Sequence, residues 1–284
     1  MVREDTYALE TGPARGRWRP PSLLCLSALA HAACIAALSV QPAWWPWLLS
    51  VLAANHLLLG AAVFLPRARL LGPNLTRLGA GALRRREICL TFDDGPDPAV
   101  TPRVLDLLDR YHAKASFFCI GEKAAAHPDI VREIARRGHS VENHSYRHSH
   151  AFAFYGLGRL RREVALAQRA IIAICGQAPV FFRAPAGFRG VLLDAVLADI
   201  GLRYVSWTRR GYDAVSSDPA SILQRLTRGL GAGDVLLLHD GASARTRDGE
   251  PVVLAVLPAL LDQVVARGLI PVSLRMAWSA GRAA

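Results

Sequence analysis

The sequence predicts a parallel α/β domain entered through a two-helix membrane hairpin. Three observations carry this reading. Pro20 through Pro66 is a run of 47 residues without a single Asp, Glu, Lys or Arg. From residue 87 onward, short apolar strand-like runs alternate with longer helical patterns, seven strands in all. Ionisable residues gather where those strands end, which is where parallel α/β folds carry their sites. The 284-residue chain can hold one large domain or two ordinary ones, and its 52% apolar content excludes intrinsic disorder.

The charge-free run is too long for a secretory signal, whose apolar region spans about 7–15 residues. It divides near Gln41-Pro42 into Ser22–Val40 and Trp44–Leu65, of 19 and 22 residues. Each is close to the ~20 residues that cross a bilayer. Trp44, Trp45 and Trp47 cluster at the divide, where an interfacial aromatic belt belongs. A rival division, a signal peptide cleaved near Ala28–Ala33, leaves a single anchor. Arg15, Arg17 and Arg19 precede the first span, Arg67, Arg69, Arg77 and Arg84–Arg86 follow the second, and the turn between has no charge. The positive-inside rule then expects both ends, and the large domain, in the cytoplasm, facing the inner leaflet. The expected plan is a cytoplasmic tail over 1–21, two transmembrane helices over 22–65, a basic juxtamembrane linker over 66–86 and the α/β domain over 87–284. The linker's Arg residues are expected at anionic headgroups.

Net charge is +11, but ten Arg against three acids place +7 of it in residues 1–86. The rest is nearly balanced. No basic stripe with interleaved aromatics appears, so no nucleic-acid partner is expected. Five Cys, with Cys25 and Cys34 in the first span and Cys89, Cys119 and Cys175 in or beside apolar runs, suit buried thiols. Their spacing fits neither a disulfide framework nor a Cys zinc site.

The strand-like runs are Glu87–Phe92, Ala115–Ile120, Ser140–Asn143, Val180–Arg183, Arg203–Trp207, Asp234–His239 and Ile270–Leu274. Helical patterns lie between them: Thr101–Ala113, Pro128–Arg137, Leu157–Cys175, Gly190–Ile200, Pro219–Leu230 and Val252–Arg267. This alternation is compatible with a closed barrel or an open doubly wound sheet.

Four strand ends carry chemistry. In Thr91-Phe92-Asp93-Asp94-Gly95-Pro96 an apolar strand runs into two adjacent carboxylates. Both ionise cheaply only if a cation or base divides their roles, although Asp-Gly-Pro also suits a plain turn. His144 and His148 stand at i and i+4 after the third strand, so both imidazoles reach one ion. Two His and a carboxylate make a three-ligand catalytic metal site. His139 and His150 break that spacing and read as structural or solvated. Arg183 leaves a buried strand into Ala184-Pro185-Ala186-Gly187 and needs a carboxylate partner. Leu236-Leu237-Leu238 delivers His239 at a strand end.

In that order and at those strand ends, the four motifs resemble the polysaccharide deacetylase (NodB homology) family of carbohydrate esterases. The resemblance covers about residues 86–275. It implies a distorted (β/α) barrel, usually seven-stranded, and metal-dependent N-deacetylation of an amino sugar. It implies a divalent cofactor, commonly zinc, on Asp94, His144 and His148, with Asp93 as general base and Arg183 orienting it. The Ala186 N–H would face the oxyanion and His239 would protonate the leaving amine. The fourth motif departs. The family's Asp-Trp pair is replaced by Asp213-Ala214, with Asp213 expected to support Arg183 or His239 and Tyr212 standing in for the Trp. Glu142 reads as a solvated strand-end charge.

The expected substrate follows from topology. The architecture is similar to deacylases of undecaprenyl-phosphate amino sugars in lipid A modification. It implies a lipid-linked N-acetylhexosamine as partner, with Arg209, Arg210, Arg245 and Arg247 as candidate phosphate contacts and Ala151–Tyr155 as an interfacial aromatic loop. A peptidoglycan or exopolysaccharide deacetylase with its domain outside, and a non-catalytic carbohydrate-binding member, are the alternatives.

Overall fold

In the computed structural model of the protein, which describes residues 18–282, the charge-free run forms two antiparallel helices. They are α1 (Ser22–Val40) and α2 (Trp45–Val63). The first coincides with the expected span. The second starts one residue later and ends two earlier, because Pro42–Trp44 forms a separate 3₁₀ turn. Ser22–Val40 and Pro42–Val63, with mean hydropathies of 2.2 and 1.6, are long and apolar enough to cross a membrane. Their polar residues meet each other: Asn55 Nδ2 donates to Ser27 Oγ at 2.9 Å, and the His31 and His56 rings lie edge to face at 5.2 Å. Leu26, Leu29, Ile35, Trp45 and Leu57 point outward, the arrangement expected where lipid is the solvent. Arg15 and Arg17, on which the orientation argument partly rests, lie outside the described residues.

The α/β domain follows as α3 (Ala80–Arg84), β1 (Glu87–Asp93), α4 (Thr101–Arg110), β2 (Ala115–Cys119), α5 (Gly121–Ala126), α6 (Pro128–Arg136), β3 (Ser140–Asn143), α7 (Leu157–Cys175), β4 (Phe181–Phe182), α8 (Leu193–Ile200), β5 (Arg203–Tyr204), β6 (Arg209–Arg210), α9 (Pro219–Thr227), β7 (Val235–His239), α10 (Val252–Ala266), β8 (Ile270–Pro271) and α11 (Leu274–Arg282). Every strand pair is parallel, in the order β5-β4-β3-β2-β1-β7-β6, and β8 joins only the first two residues of β1. The expected fifth strand, Arg203–Trp207, is cut to its first two residues, and a further strand that the sequence reading lacked follows it. Arg203–Tyr204 pairs with β4, whereas Arg209–Arg210 pairs with β7 at the opposite edge. One extended stretch thus spans the open side of a curled half-barrel, in keeping with a distorted (β/α) barrel. Leu274 opens α11 rather than ending a strand.

Period-two alternation decides what faces inward. Ile88, Leu90 and Phe92 of β1 pack outward with helix residues such as Leu105, Leu108 and Leu257. Each such buried side chain contributes about 1.5–3 kcal/mol. Cys89 turns inward to Phe118, Phe181, Val205 and Val235, which plug the lower barrel. Burial there pushes the Cys89 thiol up to about 12, so it is an inert core residue. Thr91 and Asp93, two and four residues on, face the upper interior.

Residues 66–86 are woven into the domain. Leu75 N–H donates to Tyr204 O and Leu75 O accepts from Ser206 N–H, both at 3.0 Å. Arg189, buried, donates to the Gly72 and Pro73 carbonyls at 2.9 and 3.0 Å. Arg77 pairs with Asp234 at 2.9 Å, and Arg86 Nε donates to Gly268 O at 2.9 Å. Arg77 and Arg86 of the linker thus each reach an acceptor of the domain itself.

Glu142 corrects another expectation. It is fully buried. One carboxylate oxygen accepts from the Val180 and Phe181 N–H groups at 2.9 Å each, the other from Arg275 Nε at 3.0 Å. Its inward register on β3 turns it into the barrel floor, where α11, absent from the sequence reading, brings the arginine.

Candidate active site

The site stands on the C-terminal ends of β1, β3, β4 and β7. Beyond β1, Asp94 takes a left-handed backbone conformation (φ 69°) that aims its carboxylate across the sheet. His144 and His148 Nε2 lie 3.2 and 3.0 Å from Asp94 Oδ1. Ser145 and His148 are also left-handed, at φ 63° and 51°. Such strain persists where surrounding bonds over-determine it. Asn143 supplies some of them, donating to Val164 O and Gln168 Oε1 and accepting the Ser145 N–H. Lys123 Nζ donates to the Asp94 carbonyl at 2.8 Å and to Gly241 O at 3.3 Å. Gly241 permits this packing, since a Cβ there would lie 1.8 Å from Asp94 O.

The three groups fit a divalent metal. His144 Nδ1 donates to Arg183 O at 2.8 Å, which leaves Nε2 as the unprotonated nitrogen. That nitrogen and Asp94 Oδ1 are both buried and without a hydrogen-bond partner, so two lone pairs face each other. One donor atom from each of Asp94, His144 and His148 falls within 4.8 Å of the others. Burial by itself would raise the Asp94 carboxyl; protonated imidazoles, donating to it and attracting it, would hold it well below the ordinary carboxylate range, and a cation bound among neutral imidazoles favours the ionised carboxylate in the same way. An ionised carboxylate and neutral imidazoles are the donor set of a catalytic zinc-type site.

On one side stands Asp93, with Arg183 Nη1 donating to its Oδ1 at 2.5 Å. Arg183 is fully buried. The same Nη1 reaches Thr91 Oγ1 at 2.8 Å and Nη2 reaches Ser206 O at 2.9 Å, while the group lies 4.1 Å from the Phe118 ring centre. On the other side, Asp213 bridges His239: Oδ2 accepts its backbone N–H at 2.7 Å and Oδ1 faces its Nδ1 at 2.9 Å. Burial would lower this imidazole, but the Asp213 carboxylate outweighs it and holds it raised, at about 8. Asp213 therefore serves His239, not Arg183. Ala186 is exposed in a left-handed turn (φ 55°) directly after Arg183.

The other expectations divide. Arg209 points away from the site. Its Nε donates to Asp234 Oδ2, and its remaining nitrogens hold the Arg228 and Gly229 carbonyls. Alternation along β6 turns Arg210 the other way, against Trp207 and Tyr212. Arg245 is bound to Gly249 O at 2.7 Å within its own loop. Tyr212 is half exposed, and the buried aromatic beside Arg183 is Trp207, packed on Gly187. In Ala151–Tyr155, Phe152 and Tyr155 are buried and Phe154 is 70% exposed. His139 is structural: its Nδ1 accepts the Ala115 N–H at 3.2 Å, and burial lowers it to about 4. Thr91, Lys123 and Trp207 were missed as site residues. Lys123 had a signal, being one of two Lys among 34 basic residues.

Residues 80–205 match the polysaccharide deacetylase family model. A peptidoglycan-N-acetylglucosamine deacetylase of Bacillus cereus is 32% identical over 178 residues, covering 62% of this chain and 82% of that protein. A chitooligosaccharide deacetylase of Azorhizobium caulinodans is 34% identical over 188 residues, covering 64% and 89%. Among solved structures, a family 4 carbohydrate esterase from Streptomyces lividans in complex with acetate superposes with a TM-score of 0.59 at 32% identity, over 65% of this chain and 91% of that one. Metal dependence is typical of these enzymes. Similarity of this extent, carried on the same curled parallel sheet, makes the chain a member of the polysaccharide deacetylase family, and with it a carbohydrate N-deacetylase that hydrolyses amide bonds.

Proposed function

We propose that the protein is a membrane-anchored, metal-dependent N-deacetylase of a polyprenyl-phosphate-linked N-acetylhexosamine, acting on the cytoplasmic face of the inner membrane. The observation that carries the membrane part is the seating of the hairpin on the active-site rim. Phe188, just past the Arg183 turn, packs edge to face on Phe64 at the end of α2, with ring centres 4.9 Å apart. Arg189 N–H donates to Val63 O at 3.2 Å. At the other end of the hairpin, Trp18 Nε1 donates to Asp194 Oδ2 at 3.0 Å. Both ends of the hairpin thus lie on the domain, and a sugar held at the bilayer surface has a short path to the site.

In this reading Asp94, His144 and His148 hold the metal, zinc by the chemistry of the donor set, which supplies Lewis acidity toward the amide carbonyl. Asp93, oriented by its ion pair with Arg183, takes the proton of the attacking water. The Ala186 N–H faces the oxyanion that develops as water adds to the carbonyl carbon. His239, protonated, gives its proton to the sugar nitrogen as the C–N bond breaks. Acetate and a free amine leave.

His239 acts as an acid only while protonated, so activity is retained below its value of about 8 and lost as pH rises through it. Asp213→Asn removes the charge that raises it. The alkaline limb of kcat/KM in that variant is expected at lower pH than in the wild type. An unmoved limb assigns it to another group.

The second reading is a peptidoglycan or chitin-type oligosaccharide deacetylase with its domain outside, favoured by the substrates of the relatives named above. An alkaline phosphatase fused at residue 284 separates the two. Inactivity of the fusion, with accumulation of an N-acylated lipid-linked sugar on gene deletion, is expected. Periplasmic phosphatase activity overturns the cytoplasmic assignment.

A further inference from the structure

The stretch that crosses the open side of the sheet brings two guanidinium groups to one ring. The Arg210 guanidinium carbon lies 4.8 Å from the Tyr212 ring centre and 5.3 Å from that of Trp207. Arg225, on α9, approaches the same Tyr212 ring at 5.8 Å and donates to Gly211 O at 3.3 Å. Arg210 Nε is buried and without a hydrogen-bond partner. Among the described residues neither group has a carboxylate within ion-pairing distance, whereas Arg77, Arg85, Arg137 and Arg209 each do. Two like charges drawn to one ring repel each other, and an orphaned buried N–H is costly. An anion bound at this pair offsets that repulsion.

The position of the pair identifies the anion. Trp207, on which Arg210 rests, lies 5.9 Å from the Arg183 guanidinium, which holds Asp93. Arg67, four residues beyond the end of α2, donates to Thr208 O at 3.4 Å, two residues before Arg210. The stretch that carries Arg210 therefore touches both the exit of the hairpin, at Thr208, and the arginine that holds Asp93, at Trp207. Tyr212 is held in a left-handed conformation (φ 64°) by Val215 and Ser216 N–H groups on its carbonyl, which fixes the ring that gathers the two arginines. We propose that Arg210 and Arg225, set about Tyr212, form a phosphate subsite that receives the phosphate of a sugar phosphate while its N-acetyl group lies at Asp94, His144 and His148. The forked guanidinium matches phosphate oxygens, and a neutral oligosaccharide offers it nothing of equal strength. This assignment rests on the lipid-linked reading above and locates its phosphate.

The test uses the full chain in nanodiscs of zwitterionic lipid. Its readout is the ratio of kcat/KM on N-acetylglucosamine 1-phosphate to that on N,N′-diacetylchitobiose. The wild type is expected to prefer the phosphate-bearing sugar. Arg210→Gln and Arg225→Gln are each expected to lower the ratio about tenfold, in line with loss of one charge-assisted contact, and Arg210→Lys to restore part of it. Arg225 is exposed, so its variant remains informative if Arg210→Gln unfolds. No wild-type preference overturns the lipid-linked reading. A preference that survives both Gln substitutions overturns the subsite and leaves that reading standing. Exchanging a third of the lipid for phosphatidylglycerol is expected to leave the ratio unchanged. A ratio that collapses in the wild type, but not in the variants, assigns the arginines to lipid headgroups and overturns the substrate subsite.

Discussion

Asp93→Asn is expected to lower kcat/KM by about 10²–10⁴-fold, the range over which a positioned general base contributes, while metal content after dialysis stays at the wild-type level. The two halves of this result separate the adjacent carboxylates. Asp94 Oδ1 faces both imidazoles, whereas Asp93 Oδ2 stands 3.9 Å from His144 and its Oδ1 is taken by Arg183. Asparagine retains the shape of the side chain and an oxygen for Arg183, but it accepts no proton from water. Near-normal turnover would show that the base lies elsewhere, and loss of metal with the substitution would show that Asp93 is itself a ligand. Both measurements are made on one preparation, with Asp94→Asn as the contrasting variant that loses metal and activity together.

The largest effect on stability is expected at Arg183. It is the largest fully buried side chain in the molecule among those described, and it joins Thr91, Asp93 and the carbonyl of Ser206. Arg183→Ala leaves the Asp93 carboxylate buried without its cation, a change that costs about 3–5 kcal/mol. In a domain of this size that corresponds to a fall in Tm of roughly 10 °C. Arg183→Met fills most of the volume and keeps the contact with the Phe118 ring. It is expected to recover the packing share of the loss but none of the charge share. Unfolding in urea, read by tryptophan fluorescence, measures both. A loss below about 1 kcal/mol in Arg183→Ala means that the pair is no stronger than an exposed one, and that water reaches Asp93 in its absence.

Much of the site was legible because strands of a parallel sheet are written as apolar runs, and the run stops where the backbone leaves the core. Asp93, Asp94, Arg183 and His239 each follow such a run. They reach one site because the three strands that carry them point the same way. The pairing of His144 with His148 was legible from spacing. The hairpin was legible from the absence of charge, and the end of α1 agrees with the sequence to the residue. Less local features were not. Arg209 and Arg210 are neighbours of one residue type, and only the register of β6 against β7 sends the first to Asp234 and the second to Trp207. Glu142 looks like a surface charge until β4 and α11 bring it three donors. The five-residue run Arg203–Trp207 gives no sign that the chain leaves one edge of the sheet and joins the other.

The order of strands and helices, the hairpin and the residues standing at each strand end are properties of the chain read along its length, since they depend on hydrophobic period and on where it stops. Which of those residues meet is a property of the curled sheet. Closure of β6 onto β7 and of β5 onto β4 sets the partner of every inward side chain. A carboxylate becomes a ligand, a base or a floor post according to the groups that the opposite strands place within hydrogen-bond reach.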